Sequence, residues 1–271
     1  MFDDDIKLTR RMAPLLQKVL IVDPNPASTR MLSDLMRDIS LGQVFSASAN
    51  GPGLATARQL DPQLIFVELA ADEVDGVGFA SQIRRGHLPC RKAPIIMLTS
   101  NPTAAGILAA RDSGVHEFLR RPYNMGDLLK RLEAVTLRTR DWIEAVAYVG
   151  PDRRRFNSAD YAGDLKRKTD LESTDAAKIL QALRIIKAAV LAIDADPAQA
   201  MRALKAQAAD LQVLAQTVGD ARLAAASGDF HLYLVRATDL GVMVPSEALT
   251  YAGPLLSLLP KDVRTPLAQR G

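Results

Sequence analysis

The sequence contains little of what disulfide-bonded, metal-binding or membrane proteins need. Its single cysteine, Cys90, excludes an internal disulfide and a cysteine-rich metal site, and it is typical of a reducing compartment. Its three histidines, at positions 87, 116 and 231, are too far apart for the ligand spacing of a zinc site. No apolar run approaches the ~18 residues that a membrane-spanning helix needs. We therefore predict a cytoplasmic protein that has no metal, no cofactor and no membrane partner.

The chain also lacks a large excess of charge of either sign. The chain has 34 lysines and arginines against 31 aspartates and glutamates, a net charge of +3. A dedicated nucleic-acid-binding domain usually has a more one-sided charge, so nucleic acid is not the partner that this composition predicts. With 271 residues, of which 48% are hydrophobic, the chain is long and apolar enough for two compact domains.

Strand and helix patterns alternate in residues 18–140. Short apolar runs at 19–22, 44–47, 64–67, 95–98 and 116–119 have the length and composition of buried strands. Helical periods lie between and after them, at 28–39, 51–60, 77–85, 103–113 and 125–140. This alternation predicts a doubly wound α/β domain, in which helices cover both faces of a five-stranded parallel sheet. We interpret residues 1–17 as a separate N-terminal arm.

The rest of the chain has a different pattern. Residues 141–172 are polar and basic, which predicts a linker. Residues 173–262 are helical throughout, with apolar positions spaced alternately by three and four, as at Ile179, Leu183 and Ile186. Short turns such as Asp196-Pro197 separate the helices. This pattern predicts an antiparallel bundle of four helices. Residues 263–271 are predicted to be a tail.

The predicted linker contains three consecutive arginines, Arg153, Arg154 and Arg155, flanked by Tyr148 and Phe156. Clustered arginines bind phosphate groups, and aromatic rings stack on bases, so this segment is a candidate site for a cyclic dinucleotide or nucleic acid. A solvated basic linker with no ligand is the alternative interpretation.

Two carboxylates are predicted to meet at one edge of the sheet. Glu68 ends the third apolar run and Asp23 follows the first. The carboxyl ends of parallel strands meet at the same edge of an open α/β sheet, where ligands bind.

Residues 18–138 resemble the receiver domain of bacterial response regulators. The resemblance rests on the first strand with its acidic end at Asp23, on Glu68 at the end of the third strand, and on the Asp75-Gly76 turn after it. It also rests on three later positions. Thr99 matches the switch hydroxyl of receiver domains, Phe118 matches their switch aromatic residue, and Arg121-Pro122 matches their Lys-Pro pair.

The resemblance implies chemistry that this sequence departs from. A receiver domain holds Mg²⁺ with two acids after its first strand, accepts a phosphoryl group on an aspartate and holds the product with a lysine. Here Pro24 occupies the second acidic position, Glu68 the phosphoacceptor position and Arg121 the lysine position. We therefore interpret Glu68, Asp23, Pro24, Thr99 and Arg121 as a degenerate phosphorylation site without a metal.

Three interpretations of this site stay open. Glu68 could mimic phosphoaspartate while bound to Arg121, in which case Thr99 turns toward Glu68 and Phe118 is buried. The pair could instead only fill space in the interior. Residual phosphorylation of Glu68 or Asp23 is the third interpretation.

The helical region is similar in shape to histidine phosphotransfer bundles, around residues 204–211 and 219–223, but it lacks the phosphoaccepting histidine. Together the resemblances imply a non-catalytic signalling adaptor of a bacterial two-component network, not an enzyme. Expected partners are a histidine kinase, a phosphotransfer protein or a regulator, and a second copy of the chain through the helical domain. The alternative is an effector-binding regulator that uses the arginines of the linker to bind a cyclic dinucleotide or nucleic acid.

Overall fold

The computed structural model describes residues 3–39, 42–138, 140–153, 175–239 and 244–260. They divide into two compact units. The α/β unit comprises the described residues within Met1–Ile143 and Tyr148–Tyr161, and the helical unit comprises those within Glu144–Ala147 and Ala162–Gly271. Among the described residues, no helix is both long and apolar enough to cross a membrane.

The α/β unit is built on a five-stranded parallel sheet. Its strands are β1 (Lys18–Val22), β2 (Gln43–Ala47), β3 (Leu64–Glu68), β6 (Ile95–Thr99) and β7 (Glu117–Arg120). They are arranged in the order β2-β1-β3-β6-β7. Two-residue strands β4 (Ala70–Ala71) and β5 (Val74–Asp75) pair in the loop after β3. The prediction of a doubly wound five-stranded sheet is confirmed.

Helices cover both faces of this sheet. They are α2 (Pro26–Ile39), α3 (Asn50–Leu60), α4 (Gly76–Arg85), α5 (Ala104–Asp112) and α6 (Met125–Thr136). Alternate strand residues point to opposite faces, so Ile21 and Phe66 pack with residues of α2 and α6. Val22 and Val67 pack on the other face, with residues of α3, α4 and α5. Burial on both faces explains why these strands are continuous apolar runs.

The interpretation of residues 1–17 as a separate arm was wrong. Helix α1 (Asp3–Met12) packs against α6, and Met12 and Leu16 are fully buried in the same apolar cluster as Val19. Leu8, Met12 and Leu16 are spaced by four and form an apolar stripe on a helical turn. This stripe binds the segment to the sheet despite its acidic beginning.

The interpretation of residues 141–172 as a linker was wrong for its first part. Strands β8 (Trp142–Glu144) and β9 (Val149–Pro151) pair with each other. Tyr148 and Val149 are buried, and the Tyr148 hydroxyl donates to the carbonyl oxygen of Pro151 at 2.6 Å. Aromatic and β-branched residues at these positions favour strand pairing. The later part of the predicted linker lies outside the described residues.

A buried arginine organises the amino-terminal edge of the sheet. Arg84, in the last turn of α4, is 1% exposed. Its Nε donates to the Gly114 carbonyl at 2.9 Å, and its Nη1 donates to the carbonyls of Arg91 at 2.6 Å and Ala93 at 2.9 Å. No carboxylate pairs with Arg84 in the described part of the chain, and burial lowers its pKa to about 9. No pattern in the sequence indicates this burial.

His116 lies beside Arg84 and is neutral in the folded protein. Its Nδ1 accepts a hydrogen bond from the Ile95 amide at 3.3 Å and lies 3.2 Å from Arg84 Nη2. Burial, reinforced by the charge of Arg84, holds the pKa of His116 well below its usual range. The guanidinium carbon of Arg84 also lies 5.3 Å from the centre of the Trp142 ring, a cation–π contact between α4 and the hairpin strand β8.

We expect His116 to make the α/β unit less stable in mild acid. In the unfolded chain it takes up a proton near pH 6.5, whereas the folded state excludes that proton. Stability is therefore fully present above pH 6.5 and is lost by up to about 1.4 kcal/mol for each pH unit below it. Urea unfolding between pH 7.5 and 5.5 measures this slope. His116→Asn is expected to flatten it, and an equally steep slope in that variant would contradict the assignment.

The helical unit consists of α7 (Asp175–Leu191), α8 (Pro197–Val218), α9 (Ala221–Asp239) and α10 (Pro245–Leu256). Each helix packs against the next, and α10 packs against α7, which closes the arrangement. The seam residues Leu183, Ile186, Val190, Leu204 and Leu211 are buried in one apolar cluster, and Ile179 and Met201 are partly buried against it.

Caps and polar contacts define α8. The Asp196 side chain accepts from the amide of Gln199, Pro197 occupies the first turn, and Gly219 ends the helix with φ of +70°. The segment Glu144–Ala147 belongs to this unit. The buried side chain of Gln199 donates to the Glu144 carboxylate at 2.8 Å, so a short strap of upstream chain lies on α8.

Candidate functional site

The candidate site lies at the carboxyl edge of the parallel sheet. Asp23 directly follows β1, Glu68 is the last residue of β3, and these two strands are neighbours. Arg121 follows β7, and its amide donates to the Thr99 carbonyl at the end of β6 at 2.7 Å. The sheet thus carries four residues of the predicted site to one edge, and Pro24 adjoins them after Asp23.

One guanidinium bridges the two carboxylates. Arg121 Nη1 donates to Glu68 Oε2, and Arg121 Nη2 donates to Asp23 Oδ2 at 2.5 Å. The side chains of Asp23, Glu68 and Arg121 are 3%, 9% and 15% exposed, so the contacts are largely shielded from water. A planar guanidinium with a fork of donors suits this bridge in a way that a lysine ammonium does not.

The pKa shifts at the site agree with this geometry. Burial raises the pKa of Glu68, the hydrogen bond and charge of Arg121 oppose the rise, and the charge of Asp23 adds to it. Burial alone lowers the pKa of Arg121, but the bond to Glu68 and the charges of Glu68 and Asp23 outweigh burial and raise it. Arg121 is therefore the cation on which the two acids depend.

The residues present do not fit Mg²⁺. This ion requires oxygen ligands in near-octahedral geometry. Both oxygens of Asp23 are already engaged, since Oδ1 accepts from the Asn25 amide at 2.8 Å and Oδ2 from Arg121. Pro24 has no side-chain oxygen. Among the described residues, no three or more His, Cys, Asp or Glu side chains gather in a way that could hold a metal ion.

The two predicted switch residues are not in the arrangement expected of a phosphoaspartate mimic. Thr99 is buried, but its hydroxyl accepts from the Asn101 amide at 3.1 Å. In the described part of the chain it makes no hydrogen bond to Glu68. Phe118 is partly buried against the apolar cluster on one face of the sheet. No hydrogen bond among the described residues therefore supports a coupling of Thr99 to Glu68.

Tyr123 is a member of this site to which the sequence argument gave no role. Burial raises the pKa of its phenol, the charge of Arg121 opposes the rise, and the charge of Asp23 adds to it. The charges of the ion bridge thus act on this phenol, which is partly buried against the apolar cluster that includes Phe66. The signal was present in the sequence, because Tyr123 follows Arg121 by two residues in the segment after β7.

The first of the three predicted phosphate-binding arginines has partners within its own unit. Arg153 Nη1 donates to Asp112 Oδ1 at 2.7 Å, and its guanidinium carbon lies 3.7 Å from the centre of the Tyr148 ring. These contacts attach the end of the hairpin to the end of α5. Arg154 and Arg155 lie outside the described residues.

Comparison with protein families agrees with the topology of the α/β unit. Residues 19–133 match the family model described as "Response regulator receiver domain". These residues form a receiver domain. The match ends shortly before the end of α6, so it covers the sheet with its helices and leaves the hairpin and the helical unit outside.

Curated relatives match the receiver domain and its immediate surroundings. The DNA-binding response regulator MtrA of Mycolicibacterium smegmatis is 26% identical over 133 residues, which are 48% of this chain and 55% of that protein. The probable chemotaxis protein CheY of Rhizobium etli is 28% identical over 118 residues, 44% of this chain and 91% of that protein. The chain spans about half the length of MtrA and of the other regulators of that size, such as KdpE of Escherichia coli.

Solved structures match over the same part of the chain. The chemotaxis protein CheY4 of Vibrio cholerae covers 44% of this chain at 26% identity, with a TM-score of 0.42.

Proposed function

We propose that this protein is a signalling adaptor whose receiver domain binds partners without phosphoryl transfer. The observation that carries the proposal is the bridge from Arg121 to both Glu68 and Asp23. In the family, the corresponding positions serve the metal ion, the phosphoryl group and the lysine that holds the product. Here one internal cation, Arg121, binds both acids in the place of those ligands.

The bridge favours one fixed state of the receiver domain over a switch. Arg121 is attached to Thr99 through its backbone and to Glu68 through its side chain, so it ties β3, β6 and β7 together at the edge. The Thr99 hydroxyl takes no part in this bridge. We therefore propose constitutive partner binding, in which Glu68 holds the surface of the domain in one conformation through Arg121.

The partners follow from the family. Receiver domains interact with histidine kinases and other signalling proteins, and we propose partners of this class. Several of the relatives are described as DNA-binding regulators, and each of them extends well beyond its matched half. The contacts of Arg153 with Asp112 and Tyr148 occupy the only described member of the arginine cluster, so no observation favours a nucleotide site there.

Partner binding is expected to depend on the charge of Glu68. Glu68→Gln keeps the size of the side chain but removes the acid that holds Arg121. It is expected to change the amount of each partner retained by about 5–150-fold, the usual range of coupling between sites. The measurement is quantitative mass spectrometry of proteins retained on the immobilised full chain, without Mg²⁺ or phosphodonor.

Glu133→Gln is the matched control, because Glu133 pairs with Arg138 on the exposed side of α6. It is expected to retain partners as the wild type does. If the Glu68 variant and the control give the same set of partners in the same amounts, the site is a relic and the proposal fails.

A further inference from the structure

The outer face of α9 has an apolar stripe that nothing in the described chain covers. Leu232 is 56% exposed and Val235 is 40% exposed. Ala225, which is exposed, and Gly228, which is partly buried beside Gln212, extend the stripe toward the start of the helix at intervals of three and four residues, on the same face. The stripe is narrow and straight, as in helices that pack against another helix.

Two charges of opposite sign border this stripe. Asp229 and Arg236 are both exposed and are seven residues apart, so they lie two turns apart on the same side of Leu232 and Val235. Neither forms an ion pair within residues 3–39, 42–138, 140–153, 175–239 and 244–260. Both charges are therefore available to an approaching helix.

We propose that this stripe is the interface with a second copy of the chain, in which two α9 helices pack antiparallel about a two-fold axis. The axis passes near residue 233, so Leu232 of each copy packs on Val235 of the other. The same axis brings each Asp229 close to the Arg236 of the other copy. A parallel pair would instead place Asp229 against Asp229 and Arg236 against Arg236, so the charges select the antiparallel arrangement.

The sequence predicted a second copy bound through the helical domain without saying which face binds it, and the apolar seams of α7 and α8 are not that face. Leu183, Ile186 and Leu204 are buried in the core of the helical unit, so those seams are already occupied within one chain. The stripe on α9 lies outside that core, and helix pairing there leaves the unit intact. The proposal is independent of the function proposed for the receiver domain.

Sedimentation velocity of the full chain tests the apolar part of the interface. The wild type is expected to be a dimer at tens of micromolar, and Leu232→Lys is expected to be a monomer, because it places a charge at the centre of the stripe. Leu191→Lys is the matched control, since Leu191 is 63% exposed at the end of α7, and it is expected to remain a dimer. A monomeric wild type, or a dimer that Leu232→Lys leaves unchanged, would overturn the proposal.

Charge reversal tests the direction of the helices. Asp229→Arg or Arg236→Asp alone places like charges face to face, and each is expected to weaken dimerisation by at least about tenfold. An equimolar mixture of the two variants is expected to restore the dimer, because the arginine introduced in one variant then faces the aspartate introduced in the other. The chain with both substitutions is also expected to dimerise as the wild type does. The single variants decide the direction, because in a parallel pair each of them would only exchange one pair of like charges for another and leave dimerisation unchanged. A mixture that stays monomeric would overturn the antiparallel arrangement.

Discussion

Arg121→Ala is expected to destabilise the α/β unit by about 3–5 kcal/mol at pH 8, because it leaves two shielded carboxylates without their cation. Asp23 and Glu68 are almost entirely buried, and Arg121 is their common partner. A truncation to alanine removes the charge and leaves the acids close together. This is the largest effect that we expect from any single change at the site.

The loss is expected to shrink as the pH falls. Burial already raises the pKa of Glu68, and Arg121 is the group that opposes the rise. Without Arg121 the folded state takes up a proton at Glu68 more readily than the unfolded chain does. A state that binds a proton more tightly when folded gains stability as the pH falls, so the variant recovers part of its loss at pH 5.5.

Urea unfolding of the wild type and variant at pH 8 and 5.5 measures both effects. Arg37→Ala is the control, because the Arg37–Asp34 pair is 3.0 Å long but more than 60% exposed on both sides, and it is expected to cost less than about 1 kcal/mol. In a double-mutant cycle, Glu68→Gln is expected to offset part of the cost of Arg121→Ala. Strict additivity would show that the two side chains act separately.

Leu204→Asp is expected to unfold the helical unit. Leu204 is fully buried at the centre of α8, within the apolar cluster that all four helices share. An unpaired carboxylate at that position loses the packing of the leucine and adds the cost of burying a charge, which together amount to several kcal/mol. That sum is comparable with the whole stability of a typical domain.

Hydrogen exchange of the full chain, followed by mass spectrometry of its peptides, separates the two units. Peptides of α7 to α10 are expected to lose protection in Leu204→Asp, whereas those of β1 and β3 are expected to keep theirs. Val213→Asp is the matched control, because Val213 is 64% exposed on the same helix, and it is expected to leave protection unchanged. Full protection of α8 in the Leu204 variant would contradict the described core.

The sheet and its acidic edge could be predicted because short stretches of sequence specify each strand. Five short apolar runs between helical periods specify a parallel sheet, and a parallel sheet carries its carboxyl ends to one edge. The positions of Asp23, Glu68 and Arg121 in the chain therefore predicted a meeting that the structure contains. The bridge itself, with one guanidinium on both acids, depends on the reach of the Arg121 side chain, which no sequence pattern specifies.

The two wrong interpretations concern segments whose structure depends on contacts with residues far away in the chain. The acidic beginning of the chain concealed a stripe of Leu8 and Met12 that belongs to the core. The basic segment after residue 140 contains a hairpin that the sequence pattern did not reveal, because each strand is only three residues long. The hairpin also contacts residues that are distant in the chain, as Trp142 contacts Arg84. A buried arginine satisfied by carbonyl oxygens leaves no pattern in a single sequence.

The central claim is that this receiver domain acts without phosphoryl transfer. Its most direct test is the intact mass of the full chain after incubation with Mg²⁺ and acetyl phosphate, with the R121K and E68D double variant treated in parallel. The account predicts that the wild type keeps its mass, because Arg121 already occupies the acids that would serve the metal and the phosphoryl group. A stable gain of one phosphoryl group on Glu68 or Asp23 of the wild type would contradict it.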